Sequence, residues 1–131
     1  MATITTSQQK NSTNRRQQGA QLPRGRQILE IRASLQSHLD SRPEPEQPPR
    51  LMGIMMADGT MKQRDVGITP TIPLYHQHSL VYFVGYVGGE PLDVGFAELY
   101  ECGDMLTPLS LVELTRKYPE HLLELVEAIQ R

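Results

Sequence analysis

Two histidines one residue apart, His76 and His78, stand just before the longest apolar run of the chain, Leu80 to Val87. On an extended strand, residues i and i+2 point to the same side, so both imidazoles could reach one metal ion. A metal site would need further ligands; His121, Asp65, Glu98, Glu101 and Cys102 carry suitable atoms. The simpler reading, and the favoured one, is a polar entrance to a buried strand.

The His-x-His pair resembles the first metal-binding motif of the cupins. That resemblance implies a β-barrel holding a metal, but the chain departs from the pattern at several positions. Gly67 lies too far upstream, no glutamate follows His78 within four residues, and the second cupin motif is missing. The chain is not assigned to that family. Cys102, the only cysteine, is surrounded in sequence by Glu98, Glu101 and Asp104. Carboxylates raise a thiol's pKa, so Cys102 reads as an ordinary half-buried thiol rather than a nucleophile. Gly85, Gly88, Gly89 and Gly95 spread over a hairpin without forming a phosphate-binding loop. No carboxylate pair stands out for acid–base work, and no cofactor is expected. Met52 and Met56 share a predicted strand face with Ile54 and read as core, rather than as an adaptable binding surface.

Around these residues the chain divides into four parts. Residues 1–22 are rich in Gln, Asn, Ser and Thr and offer little to bury, which predicts a disordered basic arm. Residues 23–41 read as an amphipathic helix opening at Pro23, with Ile28, Ile31, Leu35 and Leu39 at three- and four-residue steps. So narrow a seam suits one partner helix or one groove. Residues 42–50 contain the PEPEQPP run, a stiff extended spacer expected to hold the helix away from the body.

Residues 51–131 read as an α+β domain: a small, mostly antiparallel four-stranded sheet followed by two short helices. The strands are expected near 51–57, 60–66, 79–87 and 92–99. Asp58-Gly59 and Gly88-Gly89 supply the hairpin turns. GITPTIP reads as a connection, and Ala97 to Glu101 fits strand or helix. Leu80, Tyr82, Val84 and Tyr86 alternate with Val81, Phe83 and Val87, so the third strand is apolar on both faces and needs cover on both. Helices are expected over 108–117 and 119–130. Either Thr107 with Pro108 starts the first, or Ser110 caps it with Glu113 as the reciprocal acid. Tyr118-Pro119 separates the two.

The formal charge of −2 conceals an asymmetry. Residues 51–131 carry five basic and eleven acidic side chains, whereas residues 1–32 hold six basic ones against Glu30 alone. An acidic body repels phosphate, so any nucleic-acid contact falls to Lys10, Arg15, Arg16, Arg24 and Arg26. Without aromatic residues among them, these would touch backbone rather than stack on bases.

Three classes of function follow. The preferred one is a non-enzymatic protein-interaction protein, a regulator or adaptor, using the helix seam Ile28, Ile31, Leu35 and Leu39 and the acidic body. Its expected partner is a protein or a second copy of the chain. The alternatives are a nucleic-acid-associated protein using the arm, and a metal-binding protein or enzyme built on His76, His78 and His121. The single cysteine and the lack of an apolar leader point to a cytoplasmic setting. No apolar stretch approaches the roughly 20 residues of a membrane span.

Overall fold

The third predicted strand organises the molecule. In the computed structural model, which describes residues 22–130, it runs from His78 to Val87 as β3, between β2 (Met61–Pro73) and β4 (Glu90–Tyr100). β1 (Gln47–Met55) lies beyond β2, and β5 (Met105–Leu109) beyond β4. The five strands close into a barrel in sequence order. Neighbours are antiparallel except at the closure, where β1 and β5 run parallel. An odd number of strands in a meander requires this, because the last strand then runs in the direction of the first. Helix α1 (Gly25–Ser41) precedes the barrel, while α2 (Leu111–Lys117) and α3 (Leu122–Gln130) follow it around a 3₁₀ turn at Pro119–His121.

The α+β class, the antiparallel pairing and the flanking helices agree with the sequence reading, with five strands rather than four. The two turns form as their residues require: Gly59, Gly88 and Gly89 all take positive φ, and Asp58 Oδ1 accepts from the Thr60 N–H at 3.0 Å. GITPTIP is not a connection. It extends β2 to Pro73, beyond the reach of β1, whose last partner there is Ile68. Prolines are tolerated on such an edge because no ladder donor is demanded of them. Residues 97–100 are strand rather than helix. The stretch before Ser110 is the unforeseen fifth strand, so the second reading of the α2 start is the right one. Ser110 and Glu113 form the reciprocal capping box, with the Ser110 N–H donating to Glu113 Oε1 at 2.8 Å and the Glu113 N–H to Ser110 Oγ at 3.1 Å.

β3 has apolar cover on both faces, as its alternation requires. Inside the barrel, Val81 and Phe83 pack with Met52, Ile54, Val66, Ile68, Ala97, Leu99 and Leu106. On the outer face, Leu80, Tyr82 and Val84 meet Phe96, Ile72 and a layer of helices contributing Ile31, Leu35, Leu114, Leu122 and Leu125. At roughly 1.5–3 kcal/mol per large side chain, this second layer matters as much as the first.

Here the expected role of α1 is corrected. The helix does not stand off on its spacer. Ile31 and Leu35 are buried in the chain's own core, while Ile28 and Leu39 are partly covered. The spacer itself packs on the barrel. The Tyr82 hydroxyl donates to the Pro43 carbonyl at 2.8 Å, and the Glu46 N–H to Thr69 Oγ1 at 2.9 Å. Pro45 lies so close to Gly67 that a Cβ there would meet its ring at 2.9 Å. From Gln47 onward the spacer is already β1. A stiff extended segment fixes how far a helix can travel but not its direction, and this one turns the helix back over the sheet.

Candidate functional site

The two ends of the barrel present different chemistry. At one end lie the residues nominated from sequence. His76 is not on a strand; it occupies a turn with φ at +52°, and β3 begins only at His78. The i, i+2 argument therefore fails at its first residue. His78 packs between the rings of Tyr75 and Tyr100, with centroids at 5.4 and 4.9 Å. Its Nδ1 is buried without a hydrogen-bond partner among the described residues. His121 instead faces Glu124, at 3.1 Å. Among the described residues no three His, Cys, Asp or Glu side chains converge as a metal site would need, so His76, His78 and His121 are not brought together.

Nearby, Glu98 accepts a hydrogen bond from the Tyr118 hydroxyl and pairs with Lys117 Nζ at 2.7 Å. Burial, then the Glu98 carboxylate, push the Tyr118 hydroxyl well above its ordinary pKa. With both donors engaged, Glu98 acts as a clamp holding the end of α2 to β4. Cys102 is exposed on the 3₁₀ turn after β4. Of the basic residues assigned to nucleic acid, Arg24 and Arg26 are exposed at the start of α1, whereas Lys10, Arg15 and Arg16 lie outside the described residues, as does the expected arm except for Leu22.

At the other end the barrel is open. β1 and β5 are joined by only two residue pairs, Gly53 with Met105 and Ile54 with Leu106. Beyond them Met55, Met56 and Ala57 part from Thr107, Pro108 and Leu109. Pro108 has no N–H to offer where the strands separate. β5 then ends, its last partner on β4 being Phe96. β4 from Asp93 to Gly95 thus pairs with β3 on one side, and from Leu92 to Gly95 it has no strand on the other among the described residues.

A cleft of about 900 Å³ occupies this opening, within the roughly 300–1,000 Å³ typical of ligand sites. Ile54 and Phe83 line it from the barrel interior, Phe96 and Leu109 from the outer face, and Leu39 from α1. Gly95 faces Phe83 across the β3–β4 pair, where a Cβ would press on the ring at 3.2 Å. Asp40, Asp93 and Glu113 stand around the opening against a single lining cation, Arg42. Asp40 accepts from Gln36 Nε2 at 2.9 Å. The Ser110 backbone and hydroxyl hold the Glu113 carboxyl below the ordinary carboxylate range. Asp93 forms an ion pair with Arg64 Nε at 3.8 Å, too long for a hydrogen bond. That nitrogen is buried without a hydrogen-bond partner among the described residues.

The sequence reading missed this site because its acids come from α1, β4 and α2. The available signal was a glycine inside a strand pattern, Gly95 between Val94 and Phe96, which marks close approach or open space. Comparison with protein-family models, with curated proteins and with solved structures finds no match to the chain.

Proposed function

We propose that this protein is a protein-interaction module, a regulator or adaptor, whose contact surface is the acidic cleft at the open end of the barrel. The observation that carries the reading is the cleft itself, an apolar floor ringed by three carboxylates and one guanidinium. Such a surface favours a partner segment offering apolar side chains together with Lys or Arg, and disfavours nucleic acid by like charge. Of the helix seam first expected to serve as the interface, Ile31 and Leu35 are buried in the chain's own core, and Leu39 lines the cleft.

The test is selection of binders from a random peptide library on the full chain, repeated with Asp40→Lys. Asp40 is exposed in the last turn of α1, where a cation suits the helix dipole, so the substitution leaves the fold intact. Enriched peptides should combine apolar residues with Lys or Arg, and lose about tenfold or more in affinity for the variant. Enrichment of no peptide class, or of peptides indifferent to Asp40→Lys whose signals map to the His78 end, overturns the reading.

A further inference from the structure

Resting on that reading, we infer that the cleft's ligand is an extended segment of another protein, bound as an added β-strand along Leu92–Gly95 of β4. Three observations converge on this mode. The first is the backbone. Among the described residues, Leu92 to Gly95 form one open edge; across the slit stand Met55, the last residue of β1, and Met56 and Ala57 at the start of the following turn, with no β5 partner. Unpaired strand edges are templates for a further strand, and proteins ordinarily blunt them. Here Pro91 blunts the start of β4 and Pro108 removes one N–H from β5, yet among the described residues Leu92 to Gly95 stay open.

The second observation is the character of the two faces. A strand in line with β5 would present alternate side chains inward, to Ile54 and Phe83, and outward, to Leu39 and Leu109. These four side chains are apolar on both sides, Ile54 and Phe83 with only their edges exposed, so the fitting sequence is a short apolar run of about four residues rather than an alternating one. The register of β3 and β4 shifts between Gly85 and Tyr86, leaving Leu92 as the extra residue of a bulge, exposed at the slit. Bulges of this kind terminate pairing and re-aim side chains beside sites.

The third observation is charge. Asp40 and Glu113 around the opening, with Asp93 shared with Arg64, complement Lys or Arg flanking such a run. The partner is therefore a protein segment with a β-prone apolar core bracketed by basic residues, taken up by strand addition.

The probe is a capped peptide of about ten residues, with a central Val-Ile-Val-Ile run between lysines, titrated into the isotope-labelled full chain. A parallel series carries a single backbone N-methyl group at each position of the run. Strand addition predicts perturbed amides at residues 92–95 and 55–57. It also predicts a loss of about tenfold in affinity for N-methylation at alternate positions, the intervening ones being tolerated. Equal tolerance of N-methylation everywhere overturns the strand mode and leaves the broader reading standing. So does failure of the probe where library-selected peptides bind at the cleft. Loss of all cleft binding, library peptides included, removes both. A further full-chain variant with Lys10, Arg15 and Arg16 replaced by Gln separates the occupants. Unchanged probe affinity supports a foreign partner. A gain of tenfold or more identifies the chain's own basic segment as the occupant and overturns the inference, as does a dimer that the probe dissociates.

Discussion

Leu35→Ala tests whether α1 belongs to the fold or to an interface. Leu35 is completely buried, in one cluster with Tyr82, Phe96, Leu114 and Leu125. Removing a buried leucine side chain costs about 2–5 kcal/mol, with the larger values where surroundings cannot collapse. The floor beneath Leu35 is a barrel strand held on both sides, so a loss of about 3–4 kcal/mol is expected. For a domain of this size each kcal/mol shifts the thermal midpoint by roughly 4 °C, giving a drop of about 12–16 °C. Leu29 lies on the same helix but is 65% exposed. Leu29→Ala should change stability by less than about 0.5 kcal/mol. Urea unfolding of the wild type and both variants at two protein concentrations a hundredfold apart completes the experiment. Intramolecular packing requires transitions independent of concentration. A Leu35→Ala loss below about 1 kcal/mol, or a wild-type transition that moves with concentration, would refute the argument by showing that Leu35 finds its cover in a second chain.

Two further outcomes follow from individual contacts. Ser110→Ala should cost about 1 kcal/mol by removing the cap of α2, measured by denaturant unfolding at neutral pH. The folded Glu113 carboxyl is depressed, so its contribution is present above the ordinary carboxylate pKa and lost as pH falls through the folded value; the variant should have a flatter acid limb. His38 packs edge-on to Tyr82 at 4.9 Å, and burial lowers its pKa. The unfolded chain therefore takes up the proton first as pH falls below about 6.5, and stability present above that value declines below it. Unfolding midpoints measured from pH 7.5 to 5 should fall less steeply for His38→Leu than for the wild type; equal slopes would contradict this.

The fold was readable where a short-range rule and a long-range need agreed. The two-faced apolar alternation of β3 demanded cover on both sides, and the structure supplies a barrel interior on one and a helical layer on the other. Glycine turns and the Ser110–Glu113 spacing are local chemistry and held. What failed was inference from proline. Pro70 and Pro73 do not stop β2, because that stretch lies beyond β1, and Pro108 does not open a helix, because it sits in a strand with a single long partner. The prolines of the spacer likewise said nothing about the direction α1 would take. The histidine site failed for a backbone reason: the positive φ at His76 breaks the extended geometry on which the shared side depended. The cleft depends on closure of the barrel, which no local pattern encodes.

That closure ties the cap of α2 to the site. Along β4 and β5 the pairing advances one residue at a time, from Tyr100 with Met105 to Phe96 with Leu109. Continued in the same register, Ser110 would face Gly95 and Leu111 would face Val94, covering the edge that now stands open. The chain turns outward instead. Ser110 and Glu113 exchange their hydrogen bonds, Leu111 enters the helix, and Leu114 is buried in the outer core. On the opposite side of the slit the parallel partnership with β1 lasts only two residue pairs. Parallel pairing is slightly less stable per residue than antiparallel pairing, so little resists the separation. The device that starts α2 is therefore also the device that leaves β4, from Leu92 to Gly95, without a second strand neighbour among the described residues. An acid that caps a helix would be unremarkable elsewhere, but here Glu113 also lines the opening its own capping box creates. Cleft and helical layer are two consequences of one turn of the chain at Ser110.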